Sequence, residues 1–451
     1  MKRSAMAWVC ALGIVLGLFC GCSDRDRPSP KDPVTLTMWH NYGGEMQKTM
    51  DALIDEFNST EGKEQGIVIN VTAISSSAEL NESLEMIANS DPGAPAMPDI
   101  CTVYPKVAIR FQEKGALVDL QEYFTQEELE NYLPAFIEEG KLEDGGLYVF
   151  PLAKSTEILY LNQTLFDRFA QATGASQEKL ATFEGIAELS QKYYRWTDAQ
   201  TPDTPGDGKA FFTADSWFNL AQVGMVQLGD SLLEGESLDL ESEKYRHIFE
   251  TLWVPAVEGG IALYDGYSSD LSKTGDLVCS TGSSAGILFY GDTITYPDNR
   301  VEQVEYSILP FPVFAGGEKA AIQRGGGLMV AKSETRREYA AATFVKWLTA
   351  PRQNMRFIAS TGYLPVTKQA FETDMARQID EVEDGRVKKM LAAVTGMYEE
   401  YRFFTAPTFA GFDELGKDYE RDFKALLRRQ GESARSGTAP TVEEALAQLK
   451  D

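Results

Sequence analysis

The stretch VTLTMWHNYGGEMQKTMDALIDEFN, residues 34–58, contains the change of hydrophobic period that decides the class of fold. Val34, Leu36 and Met38 alternate with polar residues, which is the period of a β-strand. After a pair of glycines, apolar residues recur at spacings of three and four, which describes one face of an amphipathic helix. The stretch therefore predicts a strand, a short loop and a helix, in that order.

The loop between this strand and this helix, Trp39–Tyr42, is polar and aromatic. In open α/β sheets, ligands bind at the carboxyl ends of strands, which is where this loop lies. The following Gly43 and Gly44 allow backbone N–H groups at the start of the helix to approach a ligand closely. An ordinary strand–helix unit with a packed Trp39 explains the same residues. Both interpretations stay open at this point.

Strand and helix patterns continue to alternate after residue 58. Apolar residues alternate over 67–71, a helical stripe follows over 80–87, and residues 99–104 read as a buried strand before a short helix. Further on, we expect one strand over 147–151 that ends at a proline, and a second that starts at Ile158. This order predicts mostly parallel sheets flanked by helices.

The small hydroxylic residues 281–286 and the glycine triplet 325–327 are the other stretches that suggest close backbone approach to a ligand. Residues 281–286 read TGSSAG and could place N–H and O–H donors around an oxygen-rich group. A tight turn of small residues explains them equally well. The triplet does not match a dinucleotide-binding motif, so we expect no nucleotide there.

Length and charge limit the classes of function. The chain has 451 residues, enough for two or three domains of about 150 residues each. Its formal net charge of −26 repels the phosphates of nucleic acids and anionic lipids, so we expect no nucleic-acid partner.

The first residues are typical of a secretory signal rather than of the folded protein. Lys2 and Arg3 precede an apolar run, residues 7–19, that is too short to span a bilayer. The sequence LFCGCS that follows resembles a bacterial lipoprotein box, with Cys22 as the lipidated residue. We expect a signal peptide over 1–21 and a lipid-anchored tether over 22–33. A cleaved signal without lipid is the alternative.

Metal, cofactor and enzyme motifs receive little support from the sequence. The chain has two histidines and lacks CxxC and HExxH, so we expect neither a metal site nor a cofactor. Asp203 and Asp207 faintly match a calcium loop, but Pro205 occupies a ligand position. No motif singles out a pair of catalytic carboxylates or a nucleophile elbow. We therefore expect that the protein is not an enzyme.

Together, several stretches resemble the extracellular solute-binding proteins of ABC importers, in the group that contains the maltose-binding and glycerol-3-phosphate-binding proteins. The resemblance spans nearly the whole mature chain and appears in the family's order. Besides the lipoprotein box and LTMWHNYGGEMQKTMDALIDEFN, it is carried by PDICTVYPKVAIRFQEKGALVDL, GGLYVFPLAKSTEILYLN, RGGGLMVAKSETRREYAAATFVKWL and FIASTGYLPVTKQAF.

This resemblance implies a two-lobe α/β periplasmic-binding fold, in which each lobe is a mostly parallel sheet flanked by helices and the ligand lies between the lobes. We expect lobe 1 to comprise residues 34–152 and 305–375, and lobe 2 to comprise 153–304 and 376–451. Cys101 and Cys279 would then lie in different lobes, which makes a disulfide between them unexpected. Closure of the lobes would exclude water and strengthen each polar contact to the ligand.

The resemblance also implies which residues line the cleft, although packing or solvent exposure explains any one of them equally well. The expected ligand-binding residues are Trp39, His40, Tyr42, Glu45, Tyr104, Ser155, Thr156, Trp217, Ser283, Ser284, Gly326, Tyr363 and Arg402. Of these, Arg402 is the expected phosphate-binding residue.

The function implied is that of a monomeric lipoprotein outside the cytoplasm, attached to the membrane through its lipid alone. It would capture a sugar, polyol or glycerol-phosphate-type solute and deliver it to the permease subunits of an ABC importer. A surface sensor that presents its ligand to a membrane kinase is the alternative. A lipoprotein glycosidase is a more distant one.

Overall fold

The computed structural model describes residues 27–74, 77–373, 379, 382–407, 409, 411–437 and 441–450. The expected signal peptide, Cys22 and the first residues of the tether lie outside these ranges. Within them, the strands are β1 (Val34–His40), β2 (Ile67–Ala73), β3 (Ile100–Val103), β4 (Phe150–Asn162), β5 (Phe212–Ala214), β6 (Leu233–Glu234), β7 (Ser237–Leu238), β8 (Cys279–Ser283), β9 (Thr293–Thr295), β10 (Val301–Gln303), β11 (Tyr306–Leu309), β12 (Ala320–Val330) and β13 (Arg402–Thr405).

The α-helices of the described residues lie between and around these strands. They are α1 (Gly44–Ser59), α2 (Glu61–Gln65), α3 (Ser77–Asn89), α4 (Pro105–Gln112), α5 (Gln126–Leu129), α6 (Pro134–Glu139), α7 (Gln163–Thr173), α8 (Phe183–Asp198), α9 (Trp217–Gln227), α10 (Glu243–Glu258), α11 (Ser268–Thr274), α12 (Thr335–Thr349), α13 (Pro351–Ala359), α14 (Gly385–Glu400), α15 (Phe412–Arg435) and α16 (Val442–Lys450). In the described part of the chain, no helix is long and apolar enough to cross a bilayer.

The opening strand and helix form as their hydrophobic periods predict. β1 pairs in parallel with β2 on one side and with β3 on the other. Every second residue of β1, from Val34 to His40, is buried, and the residues between them are exposed or half-buried. The apolar face of α1 is buried through Met50, Leu53, Ile54 and Phe57. At about 25 cal/mol for each Å² of buried apolar surface, each such side chain contributes on the order of 2 kcal/mol.

Two long antiparallel strands, β4 and β12, connect the two ends of the main sheet. The sheet order is β2-β1-β3-β12-β4-β8-β5, with β11 also paired to β4 and β13 to β12. The first residues of β4 pair with β12, and its last residues pair with β8 and β11. β4 therefore links β12, which pairs with β3, to β8, which pairs with β5.

Pro151 does not end a strand, contrary to the sequence-based expectation of two separate strands. It lies inside β4, opposite Gly327, where the pairing with β12 shifts register. A proline cannot donate a ladder hydrogen bond, and an irregularity in the pairing is one of the few places in a sheet that tolerates this loss. As a result β4 continues unbroken to Asn162, and every one of its residues is buried.

The second end of the sheet is built from β5 and β8, which pair in parallel. The small-residue stretch 281–286 is only partly a turn, because β8 extends to Ser283 and a 3-10 helix follows over Ser284–Phe289. Helices α9, α10 and α15 pack together on this side through aromatic residues such as Trp217 and Phe423, whose ring centroids are 5.4 Å apart.

Candidate ligand-binding cleft

One wall of the candidate cleft is formed where the parallel strands β1 and β3 end. Asn41 and Tyr42 follow the last residue of β1, and Tyr104 follows the last residue of β3. Because both strands run in the same direction and pair directly, their following residues lie at the same edge of the sheet. This edge carries aromatic and amide side chains.

Three phenol groups meet at this wall. Tyr42 is buried, Tyr363 is half-buried, and Tyr104 is 39% exposed. Burial, with the neighbouring Tyr363 and Tyr104 hydroxyls, holds the pKa of Tyr42 well above its usual range. The Tyr42 phenol therefore stays neutral at physiological pH and can donate a hydrogen bond. The cavity beside them is lined by Asn41, Tyr42, Leu80, Asn81, Thr102, Val103, Tyr104, Ala153, Gly326 and Tyr363.

The floor of the cleft is the pleat face of β4 and β12 that faces these tyrosines. Ala153 pairs with Gly326 and Ser155 pairs with Arg324, and side chains two residues apart on a strand point to the same face. Ala153, Ser155 and Glu157 therefore follow one line along β4, about 13 Å long at 3.3 Å per residue. The floor passes from the cavity at Ala153 to the carboxylate of Glu157.

Glycines at the centre of β12 allow this floor to be flat. Gly325 has a φ of +110°, and a Cβ there would lie 2.3 Å from the carbonyl oxygen of Ala153. At Gly326 a Cβ would lie 3.1 Å from the carbonyl oxygen of Val103. Only glycine fits the first position without displacement of the backbone.

The second wall is polar and acidic. Asn219, near the start of α9, donates from Nδ2 to Glu157 Oε1 at 2.7 Å, and Arg324 donates from Nη1 to the same oxygen at 3.2 Å. Asp215 follows the end of β5, and its Oδ1 accepts from the backbone N–H of Ser268 at 2.7 Å. Glu420 of α15 accepts the hydroxyl of the α9 N-cap residue at 2.5 Å.

Loss of solvation is the largest influence on the pKa of two carboxyl groups of this wall, those of Glu157 and Asp215. Desolvation raises the pKa of Glu157, although Arg324 and Asn219 oppose the shift. Desolvation likewise raises the pKa of Asp215, against hydrogen bonds from Ser268 and the charge of Arg324. Glu157 is 2% exposed, whereas the Arg324 side chain is 42% exposed and reaches the open part of the cleft.

Two contacts join the walls. The turn that carries Tyr363 packs on the 3-10 helix after β8, since a Cβ on Gly362 would lie 3.3 Å from the carbonyl oxygen of Ser284. Lys106 of α4 forms an ion pair with Asp413 at the start of α15. The cleft is therefore bounded by residues far apart in sequence.

Among the residues predicted in and just after the first loop, one lines the cavity and the others do not. Tyr42 lines the cavity, but Trp39 packs in the small core between α3 and α4. His40 is fully buried: its Nδ1 accepts from the backbone N–H of Tyr42 at 3.2 Å, and desolvation lowers its pKa. Glu45 is exposed beside Lys48 on the surface of α1.

The predicted residues of the second wall mostly support the backbone. The Thr156 hydroxyl donates to the carbonyl of Ile322 at 2.9 Å, and its N–H donates to Ser284 Oγ at 3.3 Å. Ser283 Oγ accepts from a neighbouring backbone N–H at 3.3 Å. Trp217 is 2% exposed and packs in the core of α9 and α15. Ser155 is buried on the cleft floor.

Arg402 does not approach the other predicted residues in this structure. It begins β13 and pairs in register with Ala320, at the other end of β12 from the cavity. Arg324 lies four residue steps after Ala320, or about 13 Å along the strand. The Arg402 guanidinium Nη2 lies 3.9 Å from a carboxylate oxygen of Glu318.

Sequence reasoning did not select the acidic wall, namely Glu157, Asp215, Asn219, Arg324 and Glu420. Only one of these could have been found from the sequence. Glu157 lies two residues after the predicted Ser155 on one strand, and period two places both on the same face. The others meet through packing of α9, β5, β12 and α15. Within the described residues, no group of three or more His, Cys, Asp or Glu side chains is arranged to hold a metal ion.

Comparison with known proteins identifies the family. The sequence profile described as "bacterial extracellular solute-binding protein" matches residues 52–383, well over half of the chain. The chain belongs to this family. This solute-binding protein is 24% identical over 370 residues to the sn-glycerol-3-phosphate-binding periplasmic protein UgpB of Brucella abortus, a match that covers 79% of the chain and 80% of the relative.

Solved structures show the same fold. The cyclic α-maltosyl-1,6-maltose-binding protein of Arthrobacter globiformis superimposes with a TM-score of 0.69 at 18% identity, over 92% of this chain and 97% of that one. UgpB of Mycobacterium tuberculosis, in complex with glycerophosphocholine, gives a TM-score of 0.68 at 18% identity, over 92% and 96%. The expected two-lobe α/β fold of this solute-binding protein is confirmed. The candidate cavity of this protein lies where β1 and β3 end, beside Ala153 of β4 and Gly326 of β12.

Proposed function

We propose that this protein captures a sugar, polyol or glycerol-phosphate-type solute in the cleft and delivers it to an ABC importer. The observation that carries the proposal is the cavity at the ends of β1 and β3, where three tyrosines and two asparagines converge. Aromatic faces pack on the apolar faces of sugar rings, while amide and phenol groups bond to hydroxyls. Ligands of this kind match both properties.

The relatives support the same class of solute. The names of the similar proteins and of their complexes refer to sn-glycerol 3-phosphate, glycerophosphocholine and maltose-type oligosaccharides. All are polyhydroxylated molecules small enough for an interlobe cleft. The relatives are named as binding proteins, which supports a binding role rather than catalysis for this chain.

The direct contacts that we propose come from Tyr42, Tyr104, Gly326 and Tyr363 on one wall and from the acidic wall on the other. Closure would proceed by bending of β4 and β12, the two strands that connect the walls, and would exclude water from the polar groups. The lobe limits predicted from the sequence belong to this proposal. Permease subunits would then recognise the closed form.

We also propose that the mature protein begins at a lipidated Cys22 and works as a monomer anchored on the extracytoplasmic side of the cell membrane, at the cell surface or in the periplasm. The lipoprotein box and the charged, proline-rich stretch 23–33 support this part of the proposal. Labelling cells with a fatty-acid analogue tests it. Incorporation by the wild-type chain and its loss in Cys22→Ser are expected, and a labelled Cys22→Ser chain would contradict it.

A thermal-shift screen tests the binding proposal on the chain that follows the signal peptide. Sugars, sugar alcohols, amino sugars, oligosaccharides and glycerol phosphates would be added in turn. A true ligand raises the melting temperature, because binding only the folded form stabilises by about 2.7 kcal/mol at a hundredfold excess over Kd. Tyr104→Ala should remove the shift, and Tyr194→Ala, which changes an aromatic residue of α8, should not. No shift with any member of the panel would count against the proposal.

A further inference from the structure

The residues just before β1 are packed against the folded protein, although the sequence predicts a tether there. Pro28 is buried, and the backbones of Ser29 and Asp32 bond to each other through two N–H···O=C hydrogen bonds, at 3.3 and 2.9 Å. The carbonyl of Ser29 lies on Gly66, at the end of α2, where a Cβ would come within 2.1 Å of its oxygen. Residues 27–32 therefore form a short folded turn at the end of the sheet where β1 and β2 begin.

Two side chains of α12 fix this turn in place. The guanidinium of Arg336 donates to the carboxylate and to the backbone carbonyl of Asp32. The guanidinium of Arg27 lies 5.2 Å from the centre of the Tyr339 ring, which is a cation–π contact. Chain ends are usually poorly ordered unless contacts of this kind hold them. We call residues 27–32, together with these two residues of α12, the N-terminal clasp.

The clasp leaves little chain between the folded protein and the proposed lipid. Residues 23–26 separate Cys22 from Arg27, which makes five residue steps and a reach of at most about 18 Å. If the chain were free as far as Val34, twelve steps would reach about 43 Å. The clasp therefore decides how far the anchored end of the protein can stand from the bilayer.

The cavity lies at the opposite end of β1. The clasp is beside Val34, where β1 starts, whereas Tyr42 of the cavity follows His40, where β1 ends. The seven residues of β1 make six steps of 3.3 Å, so the strand is about 20 Å long. A reach of about 18 Å is shorter than this strand. While the clasp holds, the cavity end therefore cannot point straight at the bilayer.

The surface beside the clasp carries side chains that suit the headgroup region of a bilayer. A groove of about 350 Å³ lies between α2 and α12, next to Tyr339, and Tyr123, Lys346 and Trp347 also line it. Tyrosine and tryptophan rings are enriched where proteins meet lipid headgroups, and a lysine can lay its apolar stem there while its charge stays in water. This chemistry favours the face formed by α2 and α12 as the one beside the lipid.

We infer that the face formed by α2 and α12 lies against the lipid bilayer, and that the clasp points the cavity away from it, toward the medium from which solute arrives. The inference rests on the proposed anchor at Cys22. The net charge of −26 does not attract the protein to an anionic surface, so the short anchor segment keeps this face near the lipid. Lobe 1 is then the fixed lobe, and lobe 2 moves when the cleft closes. Opening of the clasp would let the cavity end turn toward permease subunits in the membrane.

Short-range quenching of a fluorescent label tests this orientation. The lipidated full chain is purified from cells and inserted into phosphatidylcholine vesicles that carry a quencher on some of their headgroups. Lys63→Cys places the label on α2, beside the clasp, and Lys48→Cys places it near the start of α1, toward the cavity end; both positions are exposed. Cys101 and Cys279 are buried, so a thiol dye labels the introduced residue in preference to them.

We expect quenching of the Lys63→Cys label to be at least twofold stronger than that of the Lys48→Cys label. Removal of the clasp by Arg336→Ala together with Tyr339→Ala should abolish this difference, because the longer reach lets both ends approach the lipid. Arg352→Ala is the control, since it removes a positive charge from α13, where the side chain is 77% exposed, and should keep the difference.

An insertion tests the same inference without a change in the folded part of the protein. About eight glycine and serine residues added between Asp26 and Arg27 lengthen the reach by roughly 28 Å and leave the clasp intact. We expect this insertion to abolish the difference between the two labels as well.

The outcomes separate the orientation from the proposed anchor. Equal quenching of the two labels in the lipidated chain, or stronger quenching of the Lys48→Cys label, would overturn the inference and leave the anchor in place. A difference that survives the insertion or the double substitution would also overturn it, because the length of free chain would then not set the orientation. Absence of a fatty acid from Cys22 would count against the anchor and against the inference that rests on it.

Discussion

Replacement of Lys154 by methionine tests how much the ion pair under the cleft floor contributes to the stability of the strands that connect the two lobes. The Lys154 and Glu139 side chains are 4% and 12% exposed, and their Nζ and Oε2 atoms are 2.7 Å apart. Burial lowers the pKa of Lys154, and Glu139 opposes that shift. The backbone of Lys154 also bonds to Leu364, so the pair lies where three chain segments meet.

The size of the effect follows from the buried partner that remains. Removal of one member of a buried ion pair costs about 3–5 kcal/mol, because the other charge stays desolvated. In Lys154→Met, Glu139 keeps a hydrogen bond from Gln323, which places our expectation near the lower limit, at about 3 kcal/mol. The double variant with Glu139→Leu should regain most of this loss, because no buried charge remains.

Urea unfolding, followed by tryptophan fluorescence and by circular dichroism, measures these differences where both probes give one transition. Lys48→Met is the control: its Nζ also contacts a glutamate, but the side chain is 72% exposed, so we expect a change below about 0.5 kcal/mol. A loss below about 1 kcal/mol in Lys154→Met, or a double variant less stable than the single one, would refute the reasoning.

Three further predictions concern the floor and walls of the cleft. Gly325→Ala should lower the free energy of unfolding by more than about 3 kcal/mol, because the φ of Gly325 is +110° and a Cβ there would lie 2.3 Å from a backbone oxygen. Gly316→Ala is the control: its φ is +81° but the space around it is open, so it should cost only about 1 kcal/mol of strain in the same unfolding assay. Asp215, whose pKa is raised by burial, binds its proton more tightly when folded, so its contribution to stability is full below the unfolded pKa and is lost as the pH rises through the folded pKa. Asp215→Asn should therefore weaken the decline of unfolding free energy above about pH 4, and an unchanged pH profile would contradict this. Tyr104→Ala should lower the affinity for a solute found by screening at least tenfold, with little loss of stability. Trp217→Phe should cost about 1–3 kcal/mol of stability and change the affinity less than twofold. The reverse pattern would show that the buried indole contacts the solute.

The sequence correctly predicted the features that depend on residues close together in the chain, and it failed where distant segments meet. Hydrophobic period is a local property, and it correctly placed β1, the face of α1 with Met50 and Phe57, and the loop that ends at Tyr42. The interruption expected at Pro151 was wrong, because the register shift opposite Gly327 that accommodates this proline is made by a strand over 150 residues away. A proline's effect on a strand depends on its partner, which the sequence does not name.

In the candidate site, too, some residues lie where the sequence predicted, and the positions of others depend on tertiary packing. Tyr42, Tyr104 and Tyr363 were expected from the sequence and lie together at the cavity. Trp217 was expected on the basis of residue type, but an indole serves a core as well as a ligand, and packing against α15 buried it. Arg402 was expected as an anion-binding residue, and the pairing of β13 with β12 places it beside Glu318 instead.

By itself, the sequence determined the alternation of strands and helices, the aromatic loop at the end of β1, the acidic surface and the resemblance to solute-binding proteins. All four depend on residues that are neighbours in the chain or on total composition. Only the tertiary structure decided the electrostatic character of the cleft. Glu157 is one of many carboxylates in the sequence, and only packing brings Asn219 of α9 and Arg324 of β12 into hydrogen-bond contact with it. The charge around a ligand depends on which residues are close in space, and the order of residues in the chain does not show this.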